Sequence, residues 1–238
     1  GAEPRLDAVI LIDGERIKEI GEAKEITIPP TAEVLDATSM TVIPGMIDCH
    51  VHVHGKGGPS KDHAADQITH SRAYLTLRSY RNCMRDLEMG FTTVRNGHSP
   101  GYQDVAVRDA VNDGLVQGPR VLACGQGLTV TGGHMDKGTW AQEVTQWGRT
   151  GVCDGPWDCR RAAREQFKRG ADLIKINAAG GSYEDLSVMG IQQMTYEEMA
   201  AICEEAHWAG KKVMAHAHGG PGITDAIRAG LDSVEHGV

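Results

Sequence analysis

The chain has 238 residues, 40% of them hydrophobic and 24% charged, enough to bury a sizeable core as one large domain with or without a small appendage. Its formal charge of -8 argues against a nucleic-acid or anionic-membrane partner, and no run of about 18 apolar residues offers a membrane span. The opening residues "GAEPRLDAVI" hold neither a basic n-region nor an apolar h-region, so no signal peptide is visible.

In chain order, residues 1–44 read as short strands. "LDAVILI" and "ERIKEIG" flank an Asp13-Gly14 turn, a strong hairpin signal, and "ITI", "AEVLDA" and "MTVI" follow as further strand candidates up to Pro44-Gly45. Beyond that border the texture changes. "RDLEMG FTTVRN", "QFKRG ADLIKI", "EEAHWAG KKVMAHA" and "AIRAG LDSVEHG" each carry a helical run into a glycine and then directly into an apolar strand. Glycine just past a helix end adopts the left-handed cap that turns the chain, so Gly90, Gly170, Gly210 and Gly230 predict four such junctions. Thr195, with Glu198 three residues later, predicts a capping box at the start of "TYEEMAAICEEAHWAG".

Strands are expected near 46–53, 91–95, 120–124, 172–177, 212–217 and 231–235. Their alternation with helices means βα units and a parallel sheet, either doubly wound or a (β/α)8 barrel. No G-x-G-x-x-G follows the first of these strands, which weakens the dinucleotide-binding version. "ACGQGLTVTGGHMDKG" reads as an active-site loop. Six scattered cysteines (49, 83, 124, 153, 159 and 203) without a C-x-x-C read as reduced thiols of a cytoplasmic protein.

Histidines gather where these strands end: His50, His52 and His54 on the first, His216 and His218 on the fifth, His236 on the sixth. Ligands of parallel α/β proteins bind at the carboxyl ends of strands, and imidazole is the commonest metal ligand, so a metal site is expected. At about 3.3 Å per residue His50 and His54 lie roughly 13 Å apart, too far to share one metal. His54 is therefore expected at a loop or pocket rim. Lys175 lies between isoleucines in "ADLIKINAAGG". Burial there would depress its pKa, and the neutral amine could take up carbon dioxide as an anionic carbamate.

"PGMIDCHVH", the strand lysine of "IKI", "AHAHG" and "SVEHG" together resemble the metal-dependent amidohydrolase superfamily in its binuclear subtype. "GFTTVRN", "TGGHMDKG" and "GADLIKINAAGG" resemble the branch with prolidase-like dipeptidases, arginine and lysine carboxypeptidases and ochratoxinase-type amidases. The resemblance implies a distorted (β/α)8 TIM barrel over 45–238, strands 1–6, beside a small β-sandwich to which 1–44 contribute. It implies two divalent metals, with zinc favoured by four imidazoles. His50 and His52 would hold one, His216 and His236 the other, and Lys175 would bridge them as a carbamate. Asp48 would support them. His134 would polarise the scissile carbonyl or bind substrate, and His218 would contact substrate.

The implied reaction is cleavage of an amide or peptide bond of a dipeptide or N-acyl amino acid by a metal-bridging hydroxide. The family's general-base aspartate follows an eighth strand, and the chain stops just after the sixth, so a longer enzyme is expected. Asn96 stands where many relatives have aspartate. Alternatives are an imidazolonepropionase-like ring opener, a mononuclear deaminase, which Gly219 disfavours by replacing the glutamate of an H-x-x-E pattern, and, were the chain complete, a non-catalytic metal-binding module. The expected partner is a small-molecule substrate, and a homo-oligomer built through barrel helices is compatible with the resemblance.

Overall fold

The computed structural model describes residues 3–57, 63–136, 141, 151–181 and 188–238. The chain divides into two compact units, Gly1–Pro44 and Gly45–Val238.

In the first unit β1 (Ala8–Asp13) and β2 (Arg16–Glu22) form an antiparallel hairpin, with Asp13 opposite Arg16 and Gly14 at φ 58 in the turn. The strands expected at "ITI", "AEVLDA" and "MTVI" do not form. These residues follow an irregular path held by local turns such as Ala32 N–H to Pro29 O (3.0 Å) and Met40 N–H to Ala37 O (2.9 Å). Extended backbone becomes a strand only where a neighbouring edge receives its N–H and C=O groups, and among the described residues none does so here. Val34, Leu35, Met40, Val42 and Ile43 are exposed accordingly. Among the described residues of this unit, one hairpin forms.

Among the described residues the second unit holds six parallel strands alternating with helices: β3 (Met46–Val51), α1 (His63–Thr69), α2 (Arg72–Glu88), β4 (Phe91–Asn96), α3 (Gln103–Asn112), β5 (Arg120–Leu122), α4 (Pro156–Lys168), β6 (Leu173–Asn177), α5 (Tyr196–Trp208), β7 (Lys212–Ala217), α6 (Gly220–Arg228) and β8 (Ser233–His236). The four expected glycines terminate α2, α4, α5 and α6 with φ of 92, 94, 67 and 100. The capping box of Thr195 and Glu198 opens α5.

The strands pair as β3-β4-β5 and β6-β7-β8. The chain beyond β5 joins the two sets: Leu128 N–H donates to Lys175 O (2.7 Å), and Asn177 N–H donates to Leu128 O (3.0 Å). Laid flat, six strands would hold the outer two roughly 24 Å apart, given a spacing of about 4.8 Å. Instead the Glu235 side chain on β8 reaches His50 on β3 at 2.6 Å. The wall is therefore curled as in a barrel, with one side of each strand facing a common interior.

Alternation sorts the side chains. Ile174 and Ile176 of β6 pack outward against the helices with Ala162, Met199 and Ile202; Val53, Cys83, Val94, Val107 and Val121 form a second cluster beneath α2 and α3. Inside, Cys124, Leu173 and Met214 make an apolar floor. Each fully buried Val, Leu, Ile or Met among them contributes about 1.5–3 kcal/mol. The next interior positions toward the carboxyl ends, two residues on, are Lys175 and His216. No described helix is long and apolar enough to cross a membrane.

Candidate metal centre

β3 carries Asp48 and His50 two residues apart, at a register irregularity against β4, and His52 follows just past its end. Asp48 Oδ1 accepts from His50 N–H (2.9 Å), and the Nε2 atoms of His50 and His52 lie 3.4 Å apart. Gly97, after β4, makes room: a Cβ there would lie 2.9 Å from His50 Nε2. His54 turns away. Its Nδ1 lies 3.0 Å from the His98 carbonyl oxygen, while Arg78 donates to the His54 carbonyl and is itself paired with the buried Asp66.

Across the interior, β7 presents His216 and, just beyond it, His218, again two residues apart. His236 ends β8, and its strand parity alone would send it to the face opposite Glu235. Its φ of 71 swings it inward instead. For a residue with a Cβ that left-handed conformation costs about 1–2 kcal/mol, the kind of strain that collects at functional sites. The ligand nitrogens of His216, His218 and His236 then lie within 4.8 Å of one another. His236 also meets the His50 ring, at 4.8 Å between centroids, so the two expected ligand pairs are neighbours. His134 is buried and stacks on His216 at 4.3 Å. That stacking needs a glycine at 181, where a Cβ would stand 2.4 Å from the imidazole.

The electrostatics suit cation binding. Burial, then the nearby His134, Lys175, His236 and His218, lowers the His216 pKa to about 2; burial, then His50 and Lys175, lowers that of His236 to about 4. The protein crowded around His52, with His54, His50 and Lys175, holds it well below the ordinary imidazole value. Neutral imidazoles keep the lone pair that a metal needs. Burial above the apolar floor lowers Lys175 to about 8. His216 Nε2 and His218 Nδ1 are buried without a hydrogen-bond partner among the described residues, an arrangement that costs free energy unless something else meets them. A divalent cation fits this donor set.

The expected ligands His50, His52, Lys175, His216 and His236 thus share one interior. His134 and His218, expected as substrate contacts, lie against His216, and His218 is grouped as closely with His216 and His236 as they are with each other. The loop of His134 is described only to residue 136, so the last two residues of "ACGQGLTVTGGHMDKG" lie outside the described residues.

Sequence reasoning assigned no role to Glu235, Arg95 or Asp104. Glu235 accepts from Arg95 Nη2 (2.8 Å) and Ser233 Oγ (2.6 Å) as well as facing His50. Ser233 and Glu235 are two apart on a strand, which was a visible sign of a shared face. Asn96 donates through Nδ2 to the fully buried Asp104 (2.9 Å), its Oδ1 accepts from Val53 N–H (3.1 Å), and Asp104 accepts from Gly125 N–H (2.9 Å). One buried amide–carboxylate pair thereby ties together the carboxyl ends of the first three barrel strands.

Residues 41–238 match the model of the amidohydrolase family. Ochratoxinase of Aspergillus niger is 34% identical to 98% of this chain, which covers 51% of that protein. Among solved structures, an Xaa-Pro dipeptidase with bound methionine in its active site superposes with a TM-score of 0.85 at 33% identity, covering 96% of this chain and 56% of the other. A prolidase complexed with N-methylphosphonate-L-proline gives a TM-score of 0.82 at 34% identity, covering 96% and 55%. The chain spans about half the length of the relatives it matches. On the match across its barrel strands and the identity along almost all of its length, this chain belongs to the amidohydrolase family.

Proposed function

We propose that the protein is a metal-dependent hydrolase of amide or peptide bonds, acting on dipeptides or N-acyl amino acids. One observation carries the reading: four imidazoles from three strands converge in the barrel interior around a buried lysine whose pKa is lowered to about 8. The related ochratoxinase, Xaa-Pro dipeptidase and prolidase support the bond type.

In this reading His50 and His52 would hold one divalent cation and His216 and His236 a second, zinc being favoured by the imidazole donors. Bound there, the cations supply Lewis acidity toward a carbonyl oxygen and lower the pKa of water. Lys175, as a carbamate, would supply negative charge to them. With a pKa of about 8, roughly a tenth of the chains carry a neutral amine at pH 7, several hundred times the fraction of an ordinary lysine. That amine could add to carbon dioxide, with its proton released to solvent, and the resulting carbamate would supply anionic oxygen donors beside the histidines. His134 and His218, whose rings pack against His216, would contact the substrate. Gly219, in the left-handed region at φ 53, caps α6 where a deaminase-like reading needs a carboxylate.

The test is metal content together with turnover of a panel of dipeptides and N-acyl amino acids. Wild-type protein is expected to hold two divalent ions per chain. His50→Ala should lose one of them and cut turnover by more than about 100-fold, since even supporting partners of metal ligands reach that range. Full metal content and full activity in His50→Ala would sink the proposal.

A further inference from the structure

Glu235 is 6% exposed, and both of its oxygens are engaged. Oε2 lies 2.6 Å from His50 Nδ1; Oε1 accepts from Arg95 Nη2 at 2.8 Å and from Ser233 Oγ at 2.6 Å. Arg95 is itself fixed, donating through Nε to the Cys49 carbonyl (2.7 Å) and through Nη1 to Ser233 Oγ (3.2 Å). The carboxylate is thus held by β4 and its own strand and delivered to a histidine 185 residues away in sequence.

The chemistry of that contact has one direction. A carboxylate paired with a guanidinium only accepts hydrogen bonds, so His50 Nδ1 carries the proton and donates it. The remaining nitrogen, Nε2, keeps its lone pair, and it is the atom that stands 3.4 Å from His52 Nε2. The second hydrogen bond of a ligating imidazole sets both its tautomer and its ring orientation.

We infer that Glu235 is a positioning residue: together with Arg95 and Ser233 it holds His50 as the Nδ1–H tautomer with Nε2 aimed at the cation it shares with His52. The inference rests on the metal-dependent reading above and adds to it a supporting group from the opposite edge of the strand wall. Three strands contribute to one ligand atom's orientation.

The test measures zinc affinity by competition with a chelator, in the full protein, for wild type, Glu235→Gln, His50→Ala and the double variant. Glu235→Gln keeps the side-chain shape and is expected to weaken zinc binding at the first site by about 10- to 100-fold. In the His50→Ala background the same substitution should change affinity by less than about twofold, because the residue it acts through is gone. Equal weakening in both backgrounds, or wild-type affinity in folded Glu235→Gln, would overturn the inference while leaving the metal reading intact. Absence of zinc binding in wild type would overturn both. A readout independent of any variant is the nitrogen-15 spectrum of metal-free wild type: His50 should show a protonated Nδ1, and a protonated Nε2 with bare Nδ1 contradicts the proposal.

Discussion

A lysine in the middle of a parallel strand is costly, and Lys175 shows how the barrel arranges that cost. It stands one interior layer above Cys124, Leu173 and Met214, and burial there lowers its pKa to about 8 from the ordinary 10.5. The linkage follows directly. Between those two values the unfolded chain holds a proton at this lysine that the folded chain has released, so the contribution of Lys175 to the stability of metal-free protein becomes more favourable as pH climbs from about 8 to 10.5, against the buried thiols, whose raised pKa values act in the opposite sense above pH 9. Lys175→Met should remove that contribution, seen as a difference in denaturation midpoint between variant and wild type that shrinks as pH climbs over this range. At pH 7 the same variant should melt no lower than wild type, because an apolar side chain replaces a desolvated amine, yet it should fail to retain the second cation. Loss of folding instead of loss of metal would contradict this account. The special character of Lys175 was only half legible from its apolar neighbours, which left a lysine snorkelling to water and a buried amine equally open; the fold buries it. That of Glu235 was not legible, because its partner His50 lies on a strand at the other edge of the wall.

At the scale of elements, all six barrel strands form within a few residues of the spans read from local pattern, and the four glycine junctions and the capping box form as well. These are features whose physical cause is contained in a handful of consecutive residues. The candidates between residues 26 and 43 had the same local composition and failed, because a strand is completed only by its neighbour. The junction of strand ends by Asn96 and Asp104 belongs to this scale too. Burial raises the Asp104 pKa, while the Asn96 amide and the Gly125 N–H oppose that rise. Asn96→Asp would set two buried carboxylates 2.9 Å apart, without the donor that now satisfies Asp104. A destabilisation of about 3 kcal/mol is expected, the scale for leaving a buried charge uncompensated. The pair would have to share a proton, so the deficit should shrink as pH falls from 7 toward 5. A melting temperature unchanged at neutral pH would show that the amide is not needed there.

For the molecule as a whole, the barrel wall is served by two separate apolar clusters, one under β3–β5 containing Cys83 and one under β6–β8 containing Cys153, Cys159 and Cys203. Burial pushes Cys83 and Cys203 up to about 12, and all four thiols are shielded from solvent. Thiolate is the reactive form, so these cysteines should resist alkylation in the native protein and report the opening of their own cluster. The hydrogen bonds of Leu128 with Lys175 and Asn177, and of Ala123 with Asp172, join the two halves of the wall. The clusters are therefore expected to open together, with Cys83 and Cys203 labelled at the same urea concentration in a mass-spectrometric titration. Labelling at well-separated concentrations would mean that the two halves unfold as independent units.

The sequence by itself determined which residues could form strands and helices, where the helices stop, and which imidazoles lie two apart on one strand. It also carried the family's motifs, and the family is confirmed along residues 41–238. Only the tertiary structure decided which of those residues meet. The curl of the wall brings Glu235 to His50, the left-handed turn at His236 reverses its strand parity, and Gly181 admits the His134 ring beside His216. Periodicity assigns a side chain to a face of its own strand. How far that face lies from another strand depends on the twist and closure of the whole wall, which no short stretch of sequence encodes.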